Sequence, residues 1–251
     1  MEADAPRGEI LEEATTLLEA AEARGLPLRL IGGLAVQLRA PAGPHPALAR
    51  THKDIDFVTA RGKARQVTEL MRARGYCANE EFNAVNGHRR LLFYDFANER
   101  QVDVFVGSFE MCHVIPVAER LTLDQVTVPL AELLLTKLQV VQLNEKDQRD
   151  ILALLLHHDV GDADGDAING ASIGRLCAAD WGLWRTSKMN LERSAEALDG
   201  YGLDDDERKV IAARIDRLRS LIEEAPKTVK WKLRDRIGDR KQWYEEPEEV
   251  D

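Results

Sequence analysis

The stretch RTHKDIDFV, residues 50–58, sets two aspartates, Asp54 and Asp56, one residue apart among apolar neighbours. Polarity alternating in this way predicts a half-buried strand, with Asp54 and Asp56 on one face and Ile55 and Phe57 in the core. Two like charges this close repel, and each resists losing its water. A strand that carries them needs a positive partner, and a metal ion is the simplest one.

Working outward, LRLI (28–31) reads as a short strand, followed by Gly32-Gly33 and a helix over LAVQLRA. Before it, Ile10, Leu11, Ala14, Leu17, Leu18 and Ala21 recur at helical spacing and predict a helix over 8–24. A loop rich in Pro and Gly, APAGPHPALAR, leads into the aspartate strand. Downstream, 64–74 reads as a helix closed by Gly75, and 89–96 with 100–107 as a strand pair turning near Asn98-Glu99. LTLDQVTV (121–128) is expected to be another strand. From Pro129 the pattern is helical, broken by the acidic loop DVGDADGDAING. The expectation is an α+β chain: an α/β domain over residues 1–129, with a small mixed sheet flanked by helices, then a helical domain over 130–251.

Composition narrows the classes. Of 251 residues, 44% are apolar and 31% charged, as in a water-soluble protein with a proper core. The longest apolar run, ILALLL (151–156), is far too short to span a membrane. The opening MEADAPRGEIL has neither the basic nor the apolar region of a signal peptide. Cys77, Cys112 and Cys177 make an odd count without a CxxC spacing, so reduced thiols in a cytoplasmic protein are expected. A net charge of −10 argues against broad nucleic-acid binding, though not against a local basic patch.

In QVDVFVG, alternation sends Asp103 to the face opposite Val102, Val104 and Val106. If the two aspartate strands are neighbours, Asp54, Asp56 and Asp103 converge at one end of a sheet. Mg²⁺ takes oxygen ligands, commonly a few carboxylates plus substrate phosphates. A strand–Gly-Gly–helix turn offers unobstructed backbone amides to a phosphate. Each piece also has a plain structural account, as an exposed strand face or an ordinary turn; their order together points to chemistry.

The segments IGGLAV, RTHKDIDFV and QVDVFV, in that order, resemble the nucleotidyltransferase superfamily with the DNA polymerase beta-type fold. The phrase RTHKDID is similar to the lincosamide and aminoglycoside nucleotidyltransferases. AELLLTKLQVVQLNEKDQRDILALL resembles the AbiEii-type nucleotidyltransferases, whose relatives include toxins of toxin–antitoxin systems. The resemblance covers residues 28–156. It implies transfer of a nucleoside monophosphate from an NTP, ATP among them, to an acceptor, with release of pyrophosphate. It also implies one or two Mg²⁺ ions held by Asp54 and Asp56, with Asp103 joining them or acting as general base. Gly32 and Gly33 would hold the triphosphate. Lys137 would offset charge on the leaving group, and Asp147 and Asp150 would orient that lysine or contact the nucleotide. The acceptor would be tRNA, a protein or a small hydroxylated molecule, and an antitoxin is a conceivable partner. The different-class alternative is a catalytically silent protein that keeps the fold for binding or regulation. Two departures stand out: twenty residues separate Gly33 from Asp54, more than the family's usual dozen or so, and Gly33 replaces the serine of the Gly-Ser variant.

Other signals are weaker. Asn144 reads as a helix N-cap with Asp147 in the first turn, which accounts for Asp147 structurally, and a snorkelling stem is the structural account of Lys137. Asp162, Asp164 and Asp166 alternate like a calcium loop, but Ala167 and Ile173 occupy positions that need Gly and Glu. The basic segment 227–244, with Trp231 and Trp243, suits RNA or an amphipathic helix with aromatic contacts. The acidic tail EEPEEVD follows it directly.

Overall fold

The computed structural model describes residues 5–246, so the first four residues and the end of the acidic tail lie outside the described residues. The chain forms two compact units, and its class is α+β, with a small mixed sheet and helices. Among the described residues no helix is long and apolar enough to cross a membrane.

The first unit comprises the chain up to Ala35, Thr51–Glu110 and Ile115–Val128. Its elements are α1 (Ile10–Glu22), β1 (Leu28–Ile31), the start of α2 (Gly32–Leu38), β2 (Ile55–Thr59), α3 (Ala64–Ala73), β3 (Cys77–Ala78), α4 (Glu80–Asn86), β4 (Arg90–Asp95) and β5 (Arg100–Val106). The sheet order is β1-β2-β5-β4-β3, with β2 and β5 parallel and the other pairs antiparallel. Ile55, Phe57, Val102 and Val104 on one face are fully buried, as the period-two pattern requires. α1 buries Ala14, Leu17 and Ala21, one stripe at helical spacing. The β4–β5 hairpin turns through Asp95, whose Oδ1 accepts from the backbone N–H of Ala97 and Asn98, with Glu99 in the left-handed region at φ 51°.

One expected strand is not formed. Residues 121–128 make a single bridge, Leu30 with Thr127, and otherwise turn. The Asp124 carboxylate accepts from the N–H groups of Val126 and Thr127, and Arg29 Nε donates to the Leu121 and Asp124 carbonyls. Side chains thus take up backbone groups that a ladder would have used, the usual way Asp competes with regular structure.

The second unit comprises Val36–Arg50, Met111–Val114 and the chain from Pro129 onward. The loop that precedes the aspartate strand therefore packs with the helices, held by Arg50 on Asp150, Arg149 on the Ala47 carbonyl and His45 on Glu207. Its helices are α5 (Leu130–Leu138), α6 (Glu145–His157), α7 (Gly170–Ala179), α8 (Trp181–Ala197), α9 (Asp205–Glu224) and α10 (Val229–Asp235). Every residue of α5 is buried, and α9 turns Ile211, Ile215, Leu218 and Ile222 inward behind an Asp204/Glu207 capping box. In the acidic loop Asp159 pairs with Arg214. Trp231 and Trp243 serve an aromatic cluster with Trp181 and Trp184: Trp231 packs edge-on to Trp184 at 5.0 Å, and Trp243 Nε1 donates to Thr186.

Gly32 sits at φ +74°, and a Cβ added there would lie 2.3 Å from Asp56 Oδ2. Both the backbone conformation and the space demand glycine. Gly32→Ala should therefore lower stability by about 2 kcal/mol or more, from backbone strain and overpacking. In an Asp56→Ala background the same change should cost less, because the close neighbour is gone. Chemical denaturation of the four proteins reads both effects, and equal costs in the two backgrounds would contradict the steric account.

Candidate active site

The first unit gathers most of the residues that the sequence singled out. In the parallel β2–β5 pair, Asp56 stands in register with Asp103, so the two carboxylates leave the same face of the sheet side by side. Ile31, the last residue of β1, is opposite Asp56 on the other flank. The chain then turns at Gly32 into α2, bringing the glycine backbone against the Asp56 carboxylate. Asp54 lies just ahead of β2 and is exposed, Asp56 is half-buried, and Asp103 is buried.

The cation that answers Asp103 is an arginine. Arg90 Nε donates to Asp103 Oδ1 at 2.7 Å, and Gln101 Nε2 donates to Oδ2 at 2.8 Å. Register places Arg90 opposite Phe105 and diagonal to Asp103, within reach of a long side chain. The guanidinium also rests over the rings of Phe105 and Phe82, 5.3 and 5.7 Å from their centroids. Among the described residues no group of three or more His, Cys, Asp or Glu side chains is arranged to hold a metal ion. The expected three-carboxylate set thus does not fit an ion as it stands. The donor chemistry of Asp54 and Asp56 does suit Mg²⁺, which commonly binds through one or two carboxylates with substrate phosphates.

Lys137, Asp147 and Asp150 lie in the second unit and come together. Lys137 Nζ is 3.0 Å from Asp147 Oδ1 and 2.9 Å from Asp150 Oδ2. Arg50 grips Asp150 with two parallel bonds, Nε to Oδ1 at 2.8 Å and a terminal nitrogen to Oδ2 at 2.7 Å. Asn144 caps α6 by accepting from the Asp147 N–H, as its position suggested. Lys137 is only 8% exposed, so its head does not snorkel to water; the carboxylates come to it. Burial opposes the Lys137 charge, but Asp150 and Asp147 outweigh it and hold its pKa above the ordinary lysine value. Burial also opposes the Asp150 charge, yet the Arg50 hydrogen bonds and the Lys137 charge hold its carboxyl below the ordinary range. Sequence reading missed Arg50, which lies 100 residues from its partner with no periodicity to link them. The pairing of Arg90 with Asp103 was not read from the sequence either; the hairpin register was the available signal for it.

No protein-family model matches the chain, and no curated protein does. Among solved structures, the chain is similar to the antibiotic-resistance factor ANT(2'')-Ia, at 13% identity over 85% of this chain and 94% of that one, with a TM-score of 0.39. It is also similar to an antigenic nucleotidyltransferase-like protein from Paracoccidioides brasiliensis, at 12% identity over 91% and 98% of the two chains, with a TM-score of 0.44. Superpositions this loose carry no assignment, and the functional reading rests on the residues above.

The Asp150 cluster makes a stability prediction. Asp150→Asn leaves the buried Lys137 and the half-buried Arg50 short of a counter-charge and should cost about 3 kcal/mol at neutral pH. The depressed Asp150 pKa means that its contribution is present above about pH 4 and fades as pH falls through the lowered folded value. The raised Lys137 pKa means that its contribution is present below about pH 10 and fades as pH rises through the folded value. Urea unfolding across pH should show the parent–variant gap widest between these limits, and a gap unchanged at pH 2 would contradict the assignment.

Proposed function

We propose that this protein is a nucleotidyltransferase that moves a nucleoside monophosphate from an NTP to an acceptor hydroxyl and releases pyrophosphate. The observation that carries the reading is Asp56, set beside Asp103 by the parallel β2–β5 pair and packed under the glycine turn that opens α2. In the reaction the acceptor hydroxyl would give its proton to a carboxylate of the site, its oxygen bonds to the α-phosphorus, the bond from that phosphorus to the bridging oxygen breaks, and pyrophosphate leaves. Asp54 and Asp56 would hold Mg²⁺, which when bound stabilises charge on the attacking and leaving oxygens. Gly32 and Gly33 would let the triphosphate approach the backbone closely. Asp103 has the position of a base, but both of its oxygens already accept hydrogen bonds.

The acceptor classes are tRNA, a protein or a small hydroxylated molecule; in the first two cases the toxin-like relatives named by the resemblance are the model, and an antitoxin would be the expected partner. The second reading is a nucleotide-binding protein without turnover, and the engagement of Asp103 by Arg90 is the observation that favours it.

The test is incubation with each labelled NTP and Mg²⁺ against total tRNA, cell extract and a panel of aminoglycosides and lincosamides. One pool should gain label, and Asp56→Asn should reduce the rate by about 10²–10³-fold, the size of effect seen when one transition-state electrostatic contact is lost. Thermal stabilisation by Mg²⁺ and NTP without label in any pool would select the silent reading instead. The role that the resemblance gives Lys137 is read from Lys137→Ala: slower transfer per folded molecule supports it, whereas unchanged transfer with lowered stability assigns Lys137 to the ion-pair cluster alone.

A further inference from the structure

A buried carboxylate needs a counter-charge, either a bound cation or a cationic side chain, and for Asp103 this site contains the second. Three features make Arg90 a built part of the site. Its guanidinium bonds Asp103 at 2.7 Å, with side-chain exposures of 15% for Arg90 and 5% for Asp103. The rings of Phe82 and Phe105 lie against it within cation–π range. Gln101 occupies the remaining Asp103 oxygen, so the carboxylate is held at both ends. A carboxylate fixed in this way, charge-matched and nearly dry, gives up its arginine only if something replaces the lost interaction.

We propose that Arg90 is the resident cation of this site: it stands where a metal would meet Asp103, and removes Asp103 from metal ligation. Asp103 is then a positioning residue that anchors Arg90, and divalent-ion binding rests on Asp54 and Asp56. This deepens the nucleotidyl-transfer reading and rests on it for the location of the metal, but it concerns only the ligand set.

The experiment is Mn²⁺ titration, followed by water-proton relaxation enhancement, of the parent, Asp56→Asn, Asp103→Asn, Arg90→Gln and the double variant of the last two, each checked for folding by circular dichroism. Asp56→Asn should weaken binding by about tenfold or more, the scale on which metal sites respond to a lost partner. Asp103→Asn should also weaken binding, because it leaves the Arg90 charge unpaired at the site, so Asp103 is tested as a ligand by adding Asp103→Asn to Arg90→Gln, where it should cancel the gain of the single variant. Arg90→Gln should tighten Mn²⁺ by about tenfold, because it frees Asp103 to join. No tightening by Arg90→Gln, or a gain that the double variant keeps, overturns the proposal and leaves the transferase reading standing. A parent that binds no Mn²⁺ while Arg90→Gln does supports the exclusion of Asp103 by Arg90, but overturns Asp54 and Asp56 as a sufficient ligand pair and counts against metal-dependent transfer. Silence in both overturns the proposal, since releasing Asp103 would then create no site. If Arg90→Gln fails to fold, Arg90→Met, which keeps a long stem against Phe82 and Phe105, takes its place in both comparisons.

Discussion

The parallel pairing of β2 with β5 is the constraint on which the rest of the site depends. It places Asp56 beside Asp103 on one face and sinks Ile55, Phe57, Val102 and Val104 into the core on the other. Slipping this register by one residue would bury the carboxylates and expose the valines, so the hydrophobic core itself fixes where the charges stand. Everything near them follows: a glycine at the close approach of α2, an arginine reaching diagonally from β4, and a glutamine from β5 completing the cage around Asp103.

The two units handle buried charge in the same way. In the first, one guanidinium is shared between a carboxylate and two aromatic rings. In the second, two cations, Lys137 and Arg50, converge on Asp150, with Asp147 completing the balance. Such networks contribute little net stability against apolar replacements, but removing one member is costly because the others stay buried. The aromatic cluster of Trp181, Trp184, Trp231 and Trp243 is the apolar counterpart, with Arg234, Lys188 and Lys227 laid over its rings. The basic, tryptophan-bearing segment after α9 is thus tied inward by its tryptophans.

Local order was legible wherever neighbours in sequence decide it. Apolar spacing marked α1, α3 and the helical run from Pro129; alternation marked β2 and β5 with the correct apolar face, and the turn signal near Asn98-Glu99 marked β4 as the partner of β5. The strand expected over 121–128 was misread because Asp124 and Arg29 claim its backbone groups, and Arg29 is too far away in the chain to show in any window. The loop over Val36–Arg50 was placed with the strand it precedes, whereas its ion pairs join it to α6.

By itself the sequence determined that Asp56 stands on the face opposite Ile55 and Phe57, that Asp103 points away from its valine neighbours, and that the chain turns at Gly32-Gly33 after a strand. Periodicity fixes such features because it is a property of the backbone alone. The tertiary structure alone decided which cation answers each carboxylate: Arg90 for Asp103, Arg50 and Lys137 for Asp150. Charge partners are chosen by strand register and helix packing across many residues of chain, and a linear pattern carries no distance between residues that meet only once the core has formed.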